Sequence, residues 1–222
     1  MRIAIDGPSG AGKSTLAKAL ANILGIIYVD TGALYRSIGY YVREHNVDPK
    51  NEKAVSILLN DINIELLFNN GTQNVYLNGE NLGDKIRQPD ISMYASAVSS
   101  LPTVREFLLE TQRKLSHSKP GVIMDGRDIG TVIMPDADIK IFLTASSKNR
   151  AERRYNELKL KGVDVTLESV IEDMERRDAN DRSRDIAPAV PADDAIILDN
   201  TGFTIDESVD AVIKIIDSID GI

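Results

Sequence analysis

RIAIDGPSGAGKSTLAKALANIL, residues 2–24, decides how this chain is built. RIAID (2–6) is a short, mainly apolar run that ends at a glycine turn, the pattern of a buried strand. LAKALANIL (16–24) sets Leu16, Leu20, Ile23 and Leu24 at helical spacing, and Gly25 stops the helix. Between them GPSGAGKS (7–14) matches G-x-x-x-x-G-K-[ST], so the motif sits between a strand and a helix as a phosphate loop requires. Gly7, Gly10 and Gly12 let the backbone curl until successive N–H groups face phosphate oxygens. The helix start adds its positive dipole end. Lys13 can reach the β- and γ-phosphates of a nucleoside triphosphate, and the Ser14 hydroxyl can hold Mg²⁺. Pro8, Ser9, Ala11 and Thr15 complete the segment expected to wrap ATP. A glycine-rich turn without a ligand is the plain alternative, and the spacing and both flanks stand against it.

The rest of the chain repeats the alternation. IIYVD (26–30) predicts a second strand, and DTGALYR opens a helix with Asp30 or Thr31 as its N-cap. Residues 48–87 change character: INIEL (62–66) and NVYLNG (74–79) predict short antiparallel strands, with Asn78-Gly79 as a turn signal. Helices are expected near 90–100 and 103–116, divided by Pro102. GVIMD (121–125) and DIKIFLTA (138–145) are apolar strands of the buried parallel kind. A cationic helix (147–162), a second charged helix (166–182), the strand AIILDN (195–200) and a closing helix (204–219) follow. In the closing helix Val209, Val212, Ile213 and Ile216 share one face. Alternating strands and helices predict a doubly wound α/β fold with a parallel sheet. The expected division is a core of 1–37 and 88–222, with a lid at about 147–165, and an inserted β lobe at 38–87.

Composition removes whole classes of function. A net charge of -8 over 222 residues argues against a sequence-blind nucleic-acid binder. With no cysteine there are no disulfides, thiolate catalysts or cysteine metal sites, and His45 and His117 form no ligand cluster. No apolar run reaches membrane-spanning length and no signal peptide is evident, so a reducing cytoplasmic setting is expected. The absence of an N-K-x-D motif argues against a GTPase switch, and the absence of an LSGGQ-like segment against a transport ATPase.

Small-molecule phosphoryl transfer fits better, because it relies on positioning and charge neutralisation around two facing phosphates. Arginine suits that task, since its fork matches phosphate oxygens. Arg36 follows the second strand inside DTGALYR, Arg105 lies in the first turn of the helix at 103–116, and Arg127 lies in GVIMDGRDIGT (121–131); Arg150 and Arg154 lie four apart on one helix, hence on one face. Arg177, Asp181 and Arg184 are spaced i, i+4 and i+7, on one face if their helix continues that far. Each pair taken singly reads equally as an exposed salt-bridge ladder. Behind a phosphate loop, the set points to function.

GPSGAGKST, VDTGALYR, MDGRDIGTVIMPDADIKIFLTAS and RSRDIAPAVPADDA together resemble bacterial cytidylate kinase, of the nucleoside monophosphate kinase group, over nearly the whole chain. The resemblance implies a three-layer P-loop fold with a five-stranded parallel core, an enlarged monophosphate-binding insertion and a helical lid. It implies transfer of the γ-phosphoryl group of ATP to CMP or dCMP with Mg²⁺, by a monomer. Matched position by position, Thr31, Tyr35 and Arg36 fall on the monophosphate-binding segment. Ser96, Arg105 and Asp128 fall on cytosine-reading positions, and Arg127 on a phosphate-binding arginine. Arg177 and Asp181 match a pentose-contacting pair, Arg184 an arginine near the reacting phosphates, and Arg150 and Arg154 the lid arginines that close over ATP. Thr31 stands in place of a serine and keeps the hydroxyl, and Ser14 stands where some relatives carry glycine or threonine.

The chemistry of the residues agrees. Cytosine presents an amino donor beside acceptors N3 and O2, so a carboxylate such as Asp128 can accept from the amino group while Ser96 and Arg105 donate. Uracil would set a carbonyl against that carboxylate, which is expensive in a dry pocket; a plain capping role for Asp128 is the alternative. Asp125, at the carboxyl end of its strand beside the loop, is placed to order Mg²⁺ and its waters. Two other readings stay open on residues alone. One is a kinase for another small acceptor, such as UMP, dTMP or shikimate; the other is an ATP-driven binding module, which leaves the arginines unexplained.

Overall fold

Strand β1 (Arg2–Asp6) lies at the centre of a five-stranded sheet because its inner residues have apolar neighbours on both sides. The computed structural model describes residues 1–69 and 71–220. After β1 come helix α1 (Lys13–Leu24), strand β2 (Ile27–Asp30) and helix α2 (Gly32–Glu44). Helix α3 (Glu52–Leu59), strands β3 (Ile64–Asn69), β4 (Thr72–Leu77) and β5 (Glu80–Asn81), and a 3₁₀ turn (Gly83–Arg87) follow. The second half holds α4 (Pro89–Val98), α5 (Pro102–Leu115), β6 (Val122–Gly126), β7 (Ile139–Thr144), α6 (Ser147–Leu160), α7 (Leu167–Arg182), β8 (Ile196–Asp199) and α8 (Ile205–Asp220).

The main sheet runs β2-β6-β1-β7-β8, and every pairing in it is parallel. Ile3, Ile5 and Ile141 face α1 and α8 through Leu16, Leu20, Val212 and Ile216. Ala4, Val29 and Met124 face the opposite side with Ile129 and Met134. This is the predicted doubly wound α/β architecture. One core residue is misplaced by the periodicity: Ile23 is 60% exposed, on the outer face of α1.

The register sets the site. Asp30 pairs with Asp125, and Asp6 with Gly126, so the carboxyl ends of β2, β6 and β1 finish together beside the loop that follows β1. Gly7 opens that loop at φ +146°, and a Cβ there would lie 2.0 Å from the Leu143 carbonyl oxygen. No other residue fits between β1's exit and β7.

The antiparallel lobe has the order β3-β4-β5. Its tight turn at Asn78-Gly79, both at positive φ, joins β4 to the short β5. Neither this third strand nor α3 is among the elements the sequence pattern predicts. Helix α2 runs unbroken past residue 38, so a lobe boundary there falls inside a helix; the lobe's own elements start at α3. Val55, Leu59, Val75 and Leu77 share a core with Leu34, Ile38 and Val42 of α2 and Leu108 of α5. The Gln73 side chain accepts from the Asp30 amide at 2.8 Å and donates to the Asp30 carbonyl at 3.2 Å, which extends the edge of β2 with a side-chain amide.

Candidate active site

The loop between β1 and α1 is built as an anion cradle. Its carbonyls are engaged on the protein side: Lys13 Nζ donates to Pro8 O at 2.8 Å, and Arg153 and Asn200 Nδ2 donate to Ala11 O at 3.3 and 3.1 Å. Among the described residues, the backbone amides of residues 10–14 have no protein acceptor. Helix α1 begins at Lys13 with Gly12 in the left-handed region and no side-chain cap. Orphan donors and a helix N-terminus therefore coincide. The Ser9 amide is the exception, since it donates to Asp178.

At the floor of the site, Ser14 Oγ and the Tyr28 hydroxyl each donate to Asp125, both at 2.8 Å. Burial pushes the Asp125 carboxyl up, and the neighbouring Asp30 carboxylate adds to the shift. Burial also pushes Asp30 up, but the Arg36 guanidinium 2.7 Å away outweighs it and holds Asp30 below the usual carboxylate range. Asp125 has no ion pair within 4 Å among the described residues. A buried carboxylate without a cation, beside a hydroxyl, is an all-oxygen donor set of the kind Mg²⁺ takes, so these residues fit the metal. Thr31 Oγ1 donates to the Asp125 carbonyl at 2.8 Å, and the N-terminal cap of α2 comes from Asp30, whose Oδ1 accepts from Ala33 N at 3.1 Å.

On the acceptor side, Asp181 collects arginines. Arg127 Nε lies 2.8 Å from its Oδ2, and Arg184 lies 3.2 Å from its Oδ1. Burial raises the Asp181 carboxyl, and Arg127, Arg184 and Arg177 more than offset it, leaving a net fall. Helix α7 ends at Arg182, so Arg184 reaches Asp181 from the turn beyond, where it also donates to Ser99 Oγ at 3.1 Å. Arg105 pairs with Asp128 and donates to the Ser99 carbonyl at 3.0 Å. Its guanidinium also lies 5.7 Å from the centre of the Tyr35 ring. Asp128 Oδ1 has no donor among the described residues.

These groups form one field. Burial, then Arg127 and Arg177, lower Lys13 to about 7. Burial, then Arg127, lower Arg177 to about 10, with Arg36 and Arg154 acting the same way. Cations are thus held close together against their mutual repulsion. A cleft of about 940 Å³ opens beside them, lined by Ser96, Arg154, Arg177, Asp181 and Arg184, with Ser9 at the loop end.

The structure brings together nearly every residue singled out in the sequence, with one correction. Arg150 does not share the cleft with Arg154: it is buried under the loop, paired with Asp178 at 2.5 Å. The two do lie on one side of α6, but Arg150 is one turn nearer the helix start, where α6 abuts the loop. Arg154 pairs with Glu157 at 2.8 Å at the cleft wall. Sequence reasoning missed Asp178, Arg153, Asn200 and Asp6, and named Asp30 only as a helix cap, not as the partner of Arg36. Asp6 at least carries a signal, being a charged residue at the end of a buried strand; its carboxylate accepts from Ile129 N at 2.8 Å and Gly130 N at 2.7 Å.

A phosphate loop on a parallel sheet, faced across a cleft by arginines ordered on carboxylates, defines a P-loop kinase for a small phosphorylated acceptor. The cytidylate kinase family model matches residues 3–218. The chain belongs to the cytidylate kinase family. A cytidylate kinase of Caldicellulosiruptor bescii is 48% identical over 215 residues, covering 97% of this chain and 95% of the relative. One from Alkaliphilus oremlandii is 46% identical over 219 residues, covering 99% of each. An uncharacterized protein from Eubacterium ventriosum, of known crystal structure, has a TM-score of 0.51 at 16% identity over 97% of both chains, and so shares the fold alone.

Proposed function

We propose that the chain transfers the γ-phosphoryl group of ATP to CMP and dCMP in one direct in-line step, with the donor on the phosphate loop and the acceptor in the cleft. The family supports the reaction. The observation that carries the site assignment is the congregation of Lys13, Arg127, Arg177, Arg36 and Arg154 in an acidic protein, close enough to depress two of their own number. Such repulsion is relieved when anions bind between the cations.

Amides of residues 10–14 and Lys13 hold the β- and γ-phosphates, within a loop running from Gly7 to Thr15. Ser14 and, directly or through water, Asp125 would hold Mg²⁺, which would supply charge neutralisation at the phosphates. Arg36 and Arg127, oriented by Asp30 and Asp181, receive the acceptor phosphate, with Thr31 and Tyr35 beside it. Arg177 and Asp181 reach the pentose, and Arg184 and Arg154 face the phosphates in flight. Asp128 Oδ1 accepts the cytosine amino group, and Arg105, held by Asp128 and Ser99, donates with Ser96 to N3 and O2. No general base is needed, since a nucleoside monophosphate is largely ionised above a second pKa of about 6.

The lid at 147–165 closes over ATP and excludes water, and the β lobe closes over the pyrimidine nucleotide. The enzyme is expected to work as a monomer, in the cytoplasm. No helix among the described residues is long and apolar enough to cross a membrane. A coupled ADP-release assay over CMP, dCMP, UMP, dTMP and shikimate tests the reading. CMP and dCMP should exceed the other acceptors by about 10²-fold or more in kcat/KM; preference for any other acceptor would overturn it.

A further inference from the structure

The phosphate loop is gripped from outside by two helices. Asp178 on α7 accepts from the Ser9 amide at 3.0 Å, and Arg150 on α6 donates to the Ser9 carbonyl at 2.8 Å. Arg150 also donates to Asp178 at 2.5 Å, to the Ala145 carbonyl at 3.0 Å and to Ser147 Oγ at 3.3 Å. Both side chains are buried, Arg150 at 5% exposure and Asp178 at 7%. One ion pair therefore fixes an amide and a carbonyl of the same loop residue. The next residue closes the contact: a Cβ on Gly10 would lie 2.7 Å from Met174 Cε and 2.9 Å from the Arg150 carbonyl oxygen. Loop and helices touch with no room for a side chain.

Helix α7 carries Met174 and Asp178 toward the loop and Arg177 and Asp181 toward the cleft. A rigid element that touches both sites can bias both. We propose that Arg150 and Asp178 form a positioning pair that sets the phosphate loop and couples it to α7, so that donor and acceptor nucleotides strengthen each other's binding. This rests on the donor and acceptor assignment above. The chemistry requires the pair as a unit. Asp178 turns the Ser9 amide away from the cradle, and an unpaired carboxylate there would repel the phosphates; Arg150 cancels its charge and orients the carbonyl. Neither residue touches substrate.

The test uses Arg150→Lys, Asp178→Asn and the double variant Arg150→Met/Asp178→Asn, in which neither charge is left alone. Each should weaken ADP binding, measured by calorimetry without acceptor, by about 10-fold or more, as expected for loss of charge-assisted hydrogen bonds. The enhancement of ADP affinity by CMP, a reciprocal quantity in the wild type, should fall toward one. The double variant should recover melting temperature relative to the single variants and yet retain the weakened ADP binding, which a merely structural pair would not produce. A folded double variant whose ADP affinity and CMP coupling stay within about 2-fold of wild type would overturn the proposal. Because ADP binding is read without any acceptor, a wrong acceptor assignment would show instead as a wild type that does not bind CMP, whereas CMP binding without coupling to ADP would count against the proposal itself.

Discussion

Replacing Asp128 with alanine separates base reading from fold stability, because the two effects have different partners. In the folded protein Asp128 pairs with Arg105, both are nearly buried, and Arg105 keeps the Ser99 carbonyl at 3.0 Å when the carboxylate is gone. Removing one partner of a buried ion pair costs about 3–5 kcal/mol, and the surviving bond places this case near the lower figure. At about 2–4 °C per kcal/mol for a chain of this size, the melting temperature should fall by roughly 6–12 °C. Selectivity should move separately. If Asp128 Oδ1 accepts the cytosine amino group, its loss removes the group that uracil cannot satisfy, and the CMP-to-UMP ratio of kcat/KM should collapse by about 10²-fold or more. Initial rates with both acceptors, at a temperature where calorimetry shows the variant folded, give that ratio directly. Adding Arg105→Met to Asp128→Ala should restore much of the stability, since no charge is then buried alone, without restoring selectivity. A ratio that stays near the wild-type value while the melting temperature falls would refute base reading by Asp128 and leave it a purely structural carboxylate.

Lys13→Ala should lower kcat by about 10²-fold or more, as loss of a preorganised charge at the transferring phosphate does, while circular dichroism stays unchanged; near-normal turnover would remove Lys13 from the reaction. Asp6 offers a pH test, because burial pushes its carboxyl up from 3.8 to about 6 despite the amides it accepts. A raised carboxyl pKa means the folded state holds the proton more tightly, so Asp6's contribution is fully present below the unfolded value and is lost as pH rises through about 6. The urea stability of wild type relative to Asp6→Asn should therefore fall by about 2–3 kcal/mol between roughly pH 3.5 and 6.5 and be flat above, and a difference independent of pH would contradict this. Gly7→Ala should lose about 3 kcal/mol or more, from the clash of its Cβ with the Leu143 carbonyl and from the left-handed φ; a melting temperature within a degree or two of wild type would show that the loop relaxes freely.

The parallel core and the phosphate loop were legible because their information is local. An apolar run, a glycine at the turn and a helical period each declare themselves within a few residues, and RIAIDGPSGAGKS contains all of these. The arginines were legible as a set, since so many cations in an acidic chain need anions. What the sequence hid was partnership. Arg150 and Arg154 look equivalent on a helical wheel, and only the axial position of α6 against the loop buries one and leaves the other at the cleft. Asp178 lies next to Arg177 in the chain but on the opposite duty, a distinction made by the packing of α7 and written nowhere in its neighbours. The lobe is legible in outline, but α3 is too short for its helical period to stand out, and the turn at Asn78-Gly79 leads into β5.

The antiparallel lobe is not a separate unit in folding. Its inward residues, Val55, Leu59, Val75 and Leu77, share one interior with Leu34, Ile38 and Leu108 of the main body. Excising it would strip a face of the main body, and the excised piece would have nothing to collapse upon. Gene-level modularity and thermodynamic modularity therefore part company here: the lobe cannot be moved as a cassette, and any sequence that remodels it must remain compatible with α2 and α5. Denaturant should melt lobe and core in a single transition, so substitutions in the lobe's inward face carry a stability consequence for the whole enzyme.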